Sequence, residues 1–583
     1  MIQPGLERIG LLLKNIEIPW KSIHVAGTNG KGSICAYASA LLSRRTIRNG
    51  RFTSPHLVNR WDGITINDTP VSRGEFVQAE AQIKRLNEEE KIGASEFEIL
   101  TATAFKLFTD KQVKVAVVEV GMGGKLDATN ILNNQIVSVI SKIARDHQDF
   151  LGSTLEEIAA HKAGILRPNV PYIVNPSNEF SVHAKIDDYA NEIGAGPRLH
   201  GDTEELRNAL YSTKEWHTVA GPLRPFQRDN MVLALLAVLQ VLDHFNMPGG
   251  DRTNKLILGL RNKRFGGRLQ LRACSPVFGE SSTKVLVDGA HNPDAAQALS
   301  EFVYHNLRYT PKDNKRRPSK HKNSRKTVSP KPKPVTWVIA MTAGKDARGY
   351  LETLLMPGDN VVTTVFDPVD GMPWVKPMDP KELLDIALEV QPDITGLAVP
   401  EPGAFRALST AKYLANNPVV LTGSLYFVST FERERENFKS EPSWATLSIV
   451  RTEERNRVTK FFSKTVKPRA EAKRDAEQGD TNERTRLEAE IARIDEEMRR
   501  LQEAEPEIGE SFTSDGSDLE GDDMVASDSG ADDLGSNDIP EPRFRIVKHY
   551  SRNHNISKEV GNDRAGSVLQ PNSSPVWKIG KSQ

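Results

Sequence analysis

Cysteine is nearly absent: 583 residues contain two, Cys35 and Cys274, far apart and in no metal-like spacing. A disulfide framework and a thiolate zinc site are thereby excluded, and a reducing compartment fits. No apolar run approaches the length of a membrane span, and the first residues lack the charged-then-apolar pattern of a secretory signal. An excess of one charge is missing too. The 77 basic and 77 acidic residues cancel, so nothing draws the whole chain to nucleic acid or to an anionic membrane. A soluble cytoplasmic protein is expected, with a mitochondrial form left open and with room for two or more domains.

What the chain does have is glycine in one telling place. HVAGTNGKGSICA, residues 24–36, follows an apolar approach at 22–26 and precedes a small-residue stretch at 34–42 that reads as a helix. A strand, a loop and a helix N-terminus in that order form an anion site. Gly27, Gly30 and Gly32 let bare backbone N–H groups crowd around a phosphate. Lys31 can reach the terminal phosphates of a nucleotide, and Ser33 offers a hydroxyl toward magnesium. The spacing departs from G-x-x-x-x-G-K-[ST], because Gly27 and Gly30 are two residues too close and Gly32 separates Lys31 from Ser33. On this stretch alone, a glycine-rich turn without a ligand stays open.

Short β-branched runs recur with helical stretches between them, at 113–120, 136–143, 285–287, 335–340, 361–365 and 419–421. Such runs suit parallel strands buried on both faces, so the expected fold class is α/β with two sheets. Residues 264–273, RFGGRLQLRA, are read as the end of the first set, and polar residues 279–284 as the approach to the second. Ligands of open α/β sheets bind outside the carboxyl ends of the strands. Glu119 stands at one such end, with a glycine turn and Asp127 beyond it, and Asp146 and His147 follow the next strand. A carboxylate and an imidazole on adjacent strand tips can face a metal held against phosphates, although each alone is also an ordinary surface or capping residue. Thr154 and Glu157 make a capping box, Gly164 and Pro168 close that helix, and Lys162 falls in its last turn. Spacing alone assigns Lys162 to complementing the helix dipole.

Two segments break the pattern. Residues 311–334, PKDNKRRPSKHKNSRKTVSPKPKP, are basic and proline-rich, and are expected to be a disordered surface loop; no aromatic residue is interleaved for RNA. Beyond about Lys439, Leu487, Ile491, Ile494, Met498 and Leu501 form a short heptad stripe, readable as an isolated helix or a coiled-coil dimer. Residues 503–538 are acidic and serine-rich, which reads as disorder.

Taken together, HVAGTNGKGSICA, FTSPHLV, EVGMGGKLDATN, DH followed by LGSTLEEIAAHKAGI, and LVDGAHNPDAA resemble, in the same order, the folylpolyglutamate synthase and dihydrofolate synthase family, relatives of the Mur peptidoglycan ligases. RWDGITIN and FDPVDGMPWVKP look most like the fungal dihydrofolate synthases. The resemblance implies a Mur-ligase-like phosphate-loop ATPase domain at 1–270 and a smaller Rossmann-like α/β domain at 284–437 carrying the insertion. A low-complexity or helical tail would fill 438–583. It implies an ATP-dependent ligase in which a pteroate or folate carboxylate is phosphorylated and then attacked by the amine of L-glutamate. Such chemistry needs charge neutralisation and positioning more than a protein nucleophile.

Carried over position by position, Gly30, Lys31, Gly32 and Ser33 look like the ATP loop. Ser54 and Glu119 resemble a first magnesium site, and His147 with a carbamylated Lys162 resembles a second; a monovalent cation is allowed. Ser95, Glu96, Phe97 and Glu98, and Leu126, Asp127 and Ala128, match the pterin-binding segments. Asn230, Arg268, Asp288 and His291 match residues that complete the nucleotide site. Lys31, Glu119, His147 and Lys162 form the implied catalytic set, and small-molecule substrates with a monomeric chain the implied partners. Two departures stand out: Phe226 of FQRDN occupies a usual histidine position, and RWDGI replaces RERI. Asn29 before Gly30, where eukaryotic folylpolyglutamate synthases usually carry lysine, points to 7,8-dihydropteroate as acceptor and dihydrofolate as product. Folylpolyglutamate synthesis on tetrahydrofolate and a bifunctional enzyme are the alternatives. A nucleotide-binding scaffold and a nucleic-acid-associated ATPase are more remote.

Overall fold

The computed structural model describes residues 5–247, 253–261, 263, 265–278, 284–309, 332–440, 442–466, 544–547 and 578–581. The heptad stripe, the acidic stretch and nearly all of the basic insertion lie outside the described residues. The chain divides into one unit of Met1–Arg451 with Phe544–Gly580 and another of Thr452–Arg543 with Lys581–Gln583. The helix Trp444–Phe461 begins in the first unit and continues into the second, where it runs on into a turn at Phe462–Val466.

The first unit holds two α/β lobes. In the first lobe the strands are β1 (Lys21–Ala26), β2 (Asn49–Phe52), β3 (Ile64–Ile66), β4 (Thr69–Pro70), β5 (Val115–Glu119), β6 (Gln135–Ile140), β7 (Tyr172–Val174) and β8 (Arg198–Leu199). They lie in the order β4-β3-β2-β5-β1-β6-β7-β8, parallel except for the β2-β3-β4 edge. Side chains alternate between the faces. Ile23, Val25, Val115 and Val117 meet the helices Lys31–Arg44 and Pro225–His244 on one side. Ala116, Val118 and Phe52 meet Arg73–Glu89 and Glu96–Asp110 on the other. With both faces covered, the carboxyl edge of β1, β5 and β6 is left for chemistry.

In the second lobe the strands are β9 (Gln270–Ala273), β10 (Lys284–Val287), β11 (Thr336–Ile339), β12 (Asn360–Thr363), β13 (Thr395–Ala398) and β14 (Val419–Thr422), ordered β13-β12-β11-β14-β10-β9. All neighbours are parallel except β9, which pairs antiparallel with β10. This corrects the reading of residues 264–273 as the end of the first sheet. Gln-Leu-Arg-Ala alternates polar with apolar, the period of an edge strand, but here Leu271 and Ala273 face outward while Gln270 and Arg272 are half-buried. The helix Leu425–Ser440 passes through the boundary expected at 437, and the Phe438 ring packs edge-on against Trp444, 4.8 Å between centroids. Among the described residues no helix is long and apolar enough to cross a membrane.

Candidate active site

The glycine-rich loop turns sharply between β1 and the helix Lys31–Arg44. Gly27 has φ 142° and Gly30 φ 95°, backbone that side chains rarely adopt. A Cβ at Gly27 would also stand 1.8 Å from Ser141 Oγ, and one at Gly30 2.4 Å from Asn230 Oδ1. Thr28 and Asn29 donate their amides to the Lys142 carbonyl at 2.8 and 3.1 Å, which fixes the loop to the end of β6. No side chain caps the helix, so its positive end and first-turn amides face the loop's concave side. Lys31 folds back on that loop, donating to the Thr28 carbonyl at 3.2 Å, and its Nζ stands 4.0 Å from Glu119 Oε1. Ser33 lies in the first turn of the same helix.

Glu119 closes β5, buried beside Gly32. Burial pushes its carboxyl up, against the opposing charges of Lys31 and Arg268, and the Ser54 amide donates to it at 3.3 Å. Lys162, on the helix Leu155–Ala163 that the Thr154–Glu157 capping box starts, is only 4% exposed and donates to the Gly27 carbonyl at 2.8 Å. Burial, helped by nearby Lys31, brings its amine down to about 7. It does not reach out to the dipole's solvent end, as spacing alone suggested; it points inward under the phosphate loop. His147 has φ 53° at the start of a short helix; its side chain is 43% exposed, and desolvation by the surrounding protein lowers its imidazole, with Asp146 opposing.

The second lobe approaches the same place. Asn29 exchanges side-chain hydrogen bonds with Asn292, at 3.3 and 3.2 Å, and donates to Asp294 at 2.7 Å. His291 Nε2 meets Asp146 Oδ2 at 3.1 Å, and Lys345 pairs with Asp146 Oδ1. Although burial works the other way, the hydrogen bond from His291 and the charge of Lys345 hold the Asp146 carboxyl well below its usual range. Asp288 accepts the Leu269 and Ala290 amides at 2.7 and 2.8 Å; burial pushes its carboxyl up, and Arg268 opposes. Asn230, from the helix Pro225–His244, backs Gly30, and Phe226 at the start of that helix is exposed.

The two pterin-segment candidates divide. Ser95 and Glu98 form a reciprocal capping box at the start of Glu96–Asp110, and Glu98 also takes Arg8 at 3.1 Å, so both are engaged in holding the helix end. Glu96 accepts from Arg60 at 3.2 Å, and the Phe97 ring fills the space beside Gly121. Leu126 is exposed and Ala128 buried. Asp127 ends a buried relay: Gln135 Nε2 donates to His24 Nδ1 (3.2 Å), His24 Nε2 to Thr129 Oγ1 (2.9 Å), and Thr129 Oγ1 to Asp127 Oδ1 (2.6 Å). Burial holds His24 neutral, near 3, which that chain of donors requires. Asp127 also accepts the Met122 amide at 2.9 Å, pinning the turn between Glu119 and Lys162.

The donor set fits hard divalent cations on the ATP phosphates. Magnesium takes one or two protein oxygens and leaves the rest to phosphate and water, and the Glu119 carboxylate, with the Ser54 backbone against it, can supply one. Among the described residues no three His, Cys, Asp or Glu side chains are placed to hold a metal by themselves. Sequence reasoning assigned no role to Lys345, Asn292 and Asp294, which the structure brings against Asp146 and Asn29. The GK after the run at 335–340 was the available signal, since it stands at a strand end in the second sheet just as Glu119 does in the first.

Residues 25–193 match the Mur ligase middle domain and residues 276–433 the C-terminal domain of dihydrofolate synthetase. The probable dihydrofolate synthetase of Schizosaccharomyces pombe is 36% identical over 441 residues, 74% of this chain and 98% of the relative. The chain belongs to the dihydrofolate synthase and folylpolyglutamate synthase family. Its members are ATP-dependent ligases, and this chain is one of them. The dihydrofolate synthetase of Saccharomyces cerevisiae is 33% identical over 437 residues, 73% of this chain and 96% of the relative. Among solved structures, the bifunctional folylpolyglutamate synthase/dihydrofolate synthase of Yersinia pestis with AMPPNP and Mn superposes with TM-score 0.56 at 26% identity. It covers 75% of this chain and 94% of that one. ATP and a divalent metal therefore belong to the family's site.

Proposed function

We propose that the chain joins L-glutamate to 7,8-dihydropteroate at the cost of ATP, through an acyl phosphate, to give dihydrofolate. The observation that supports it most is the meeting of Asn29 in the glycine-rich loop and of Asp146 with Asn292, Asp294, His291 and Lys345 of the second lobe, beside the Glu119 and Lys162 that flank the same loop. It occurs in a chain that spans 98% of a fungal dihydrofolate synthetase. In this reading Gly30, Lys31, Gly32 and Ser33 hold the phosphates of ATP, with Asn230, Arg268, Asp288 and His291 completing the nucleotide site. Lys31 places its ammonium against the charge that grows on the transferring phosphoryl group. Ser54 and Glu119 would hold one magnesium ion, and His147 with a carbamate on Lys162 a second. Bound magnesium would neutralise phosphate charge. A neutral lysine amine is the form that captures carbon dioxide, and an amine at about 7 supplies it near neutral pH. Asp127 and the 95–98 segment would orient the pterin; all groups come from one chain, so a monomer suffices. We assign no residue to a monovalent cation, and place the enzyme in the cytoplasm, where the free thiols of Cys35 and Cys274 persist.

Incubating the purified protein with ATP, magnesium and labelled glutamate, and offering each acid separately, tests the acceptor. Labelled dihydrofolate from dihydropteroate, with little extension of tetrahydrofolate, is expected. Extension of tetrahydrofolate alone moves the assignment to folylpolyglutamate synthase, and comparable rates make the enzyme bifunctional. Lys31→Ala should cost roughly 10²–10³-fold or more in kcat with the melting temperature unchanged; near-normal turnover would contradict the loop's role.

A further inference from the structure

We propose that Lys345 is a positioning residue for the ligation, acting through Asp146 as the second lobe's half of an ion cluster that holds the two lobes in register. Lys345 stands in the turn after β11, its amide on the Thr342 carbonyl at 3.3 Å, just before the helix Ala347–Leu354. Its side chain is 17% exposed and that of Asp146 8%. Asp146 shares its oxygens among three donors: Lys345 Nζ, His291 Nε2 and the His147 amide at 2.9 Å. Two donors come from the second lobe and the third is the backbone of a residue placed at the metal.

Breaking such a pair strands a buried charge, which costs far more than losing a surface ion pair. Without Lys345, Asp146 keeps only the imidazole of His291 from the second lobe. That imidazole is itself tied to the Gly289 carbonyl at 3.1 Å, beside Asp288 and the Arg268 guanidinium. The one other polar link described at this place is the Asn29 set with Asn292 and Asp294. Lys345 thus sets how firmly Arg268, Asp288 and His291 are presented to a nucleotide that the first lobe's loop already holds. Lobe closure that completes a site acts on turnover more than on capture of the first substrate.

The test pairs amide hydrogen exchange on the substrate-free protein with steady-state kinetics for Lys345→Met, Lys345→Arg, Asp146→Asn and the Met/Asn double variant. Its kinetic half rests on the ligase reading; its exchange half does not. Lys345→Met should exchange the amides of residues 288–292 at least about tenfold faster. It should also lose about 100-fold in kcat while KM for ATP stays within about fivefold. Lys345→Arg, which keeps the charge, should recover most of both. The double variant should be no worse than the poorer single one, because both substitutions break the same contact. Unchanged exchange in Lys345→Met, full additivity in the double variant, or a loss confined to KM would overturn the proposal. If Lys345→Met does not fold, Lys345→Gln takes its place in every comparison. Faster exchange in Lys345→Met from a parent protein that ligates nothing would leave the cluster standing and remove the proposed function instead.

Discussion

A lysine whose amine is held at about 7 in the fold, against 10.5 ordinarily, binds fewer protons folded than unfolded throughout the interval between. Stability therefore rises with pH across that interval, by up to about 1.4 kcal/mol per pH unit, and the penalty of burying the charged form is complete only below 7. With carbon dioxide excluded, melts of the parent and of Lys162→Met at pH 7 to 9.5 should show the parent gaining on the variant as pH rises. Parallel curves would mean that the amine is not shielded. The same residue marks where sequence reading stops at this scale. Glu119, Asp146 and His147 were legible because each follows a β-branched run. The inward course of Lys162 was not, because a last-turn lysine ordinarily serves the helix dipole. Only the packing of Gly124 against the backbone of His161 and Lys162 brings that helix under the loop. The His24 relay was equally hidden, since a lone histidine in a strand carries no sign of what it faces.

Strands with long apolar runs were recovered to within three residues at each end, as with β5 and β6, whereas β2 was missed. Its sequence is Asn-Gly-Arg-Phe, without a run, and its place beside β5 depends on Gly50: a Cβ there would be 2.5 Å from the Phe108 ring. Packing across the sheet, absent from any local window, selects that segment. The basic insertion is an element-scale matter of a different kind. Its two flanks are bound to each other, with the Lys333 amide on the Arg308 carbonyl and the Arg308 guanidinium on the Lys333 carbonyl, both at 3.1 Å. Arg308 is further clamped on buried Asp359 by two hydrogen bonds of 2.7 and 2.6 Å. Since the ends already meet, replacing residues 311–331 by a short Gly-Ser turn should leave the melting temperature within about 2 °C and kcat within about twofold, because loop length costs little once closure is made. A large loss of either would show that the insertion contributes to the body.

At the scale of the whole chain, the family motifs end near 435 but the packed structure does not. Phe438 lies against Phe405 on one side and Trp444 on the other, and Leu447 is buried. A chain ending at 466 should match the parent in melting temperature and ligation. One ending at 439 should keep its activity, and its second lobe should melt about 2–4 °C lower, the shift expected for roughly 1 kcal/mol in a domain of about 150–250 residues. Equal melting of the two would make the aromatic stack inert. The two lobes and the fold class were readable because each lobe repeats the same strand–helix alternation. The seam between them was not, because the residues that meet there are some 260 positions apart, as Asn29 and Asn292 are.

Asn29 has one further consequence. Its backbone belongs to the glycine-rich loop proposed to hold the nucleotide and its side chain to the second lobe's contacts, so under that proposal the two events share one thermodynamic cycle. Reciprocity then applies: whatever factor nucleotide occupancy contributes to lobe placement, lobe placement returns to nucleotide affinity. If the first lobe binds ADP as proposed, a ligand that engages only the second lobe is thereby read out by how tightly the first lobe retains it.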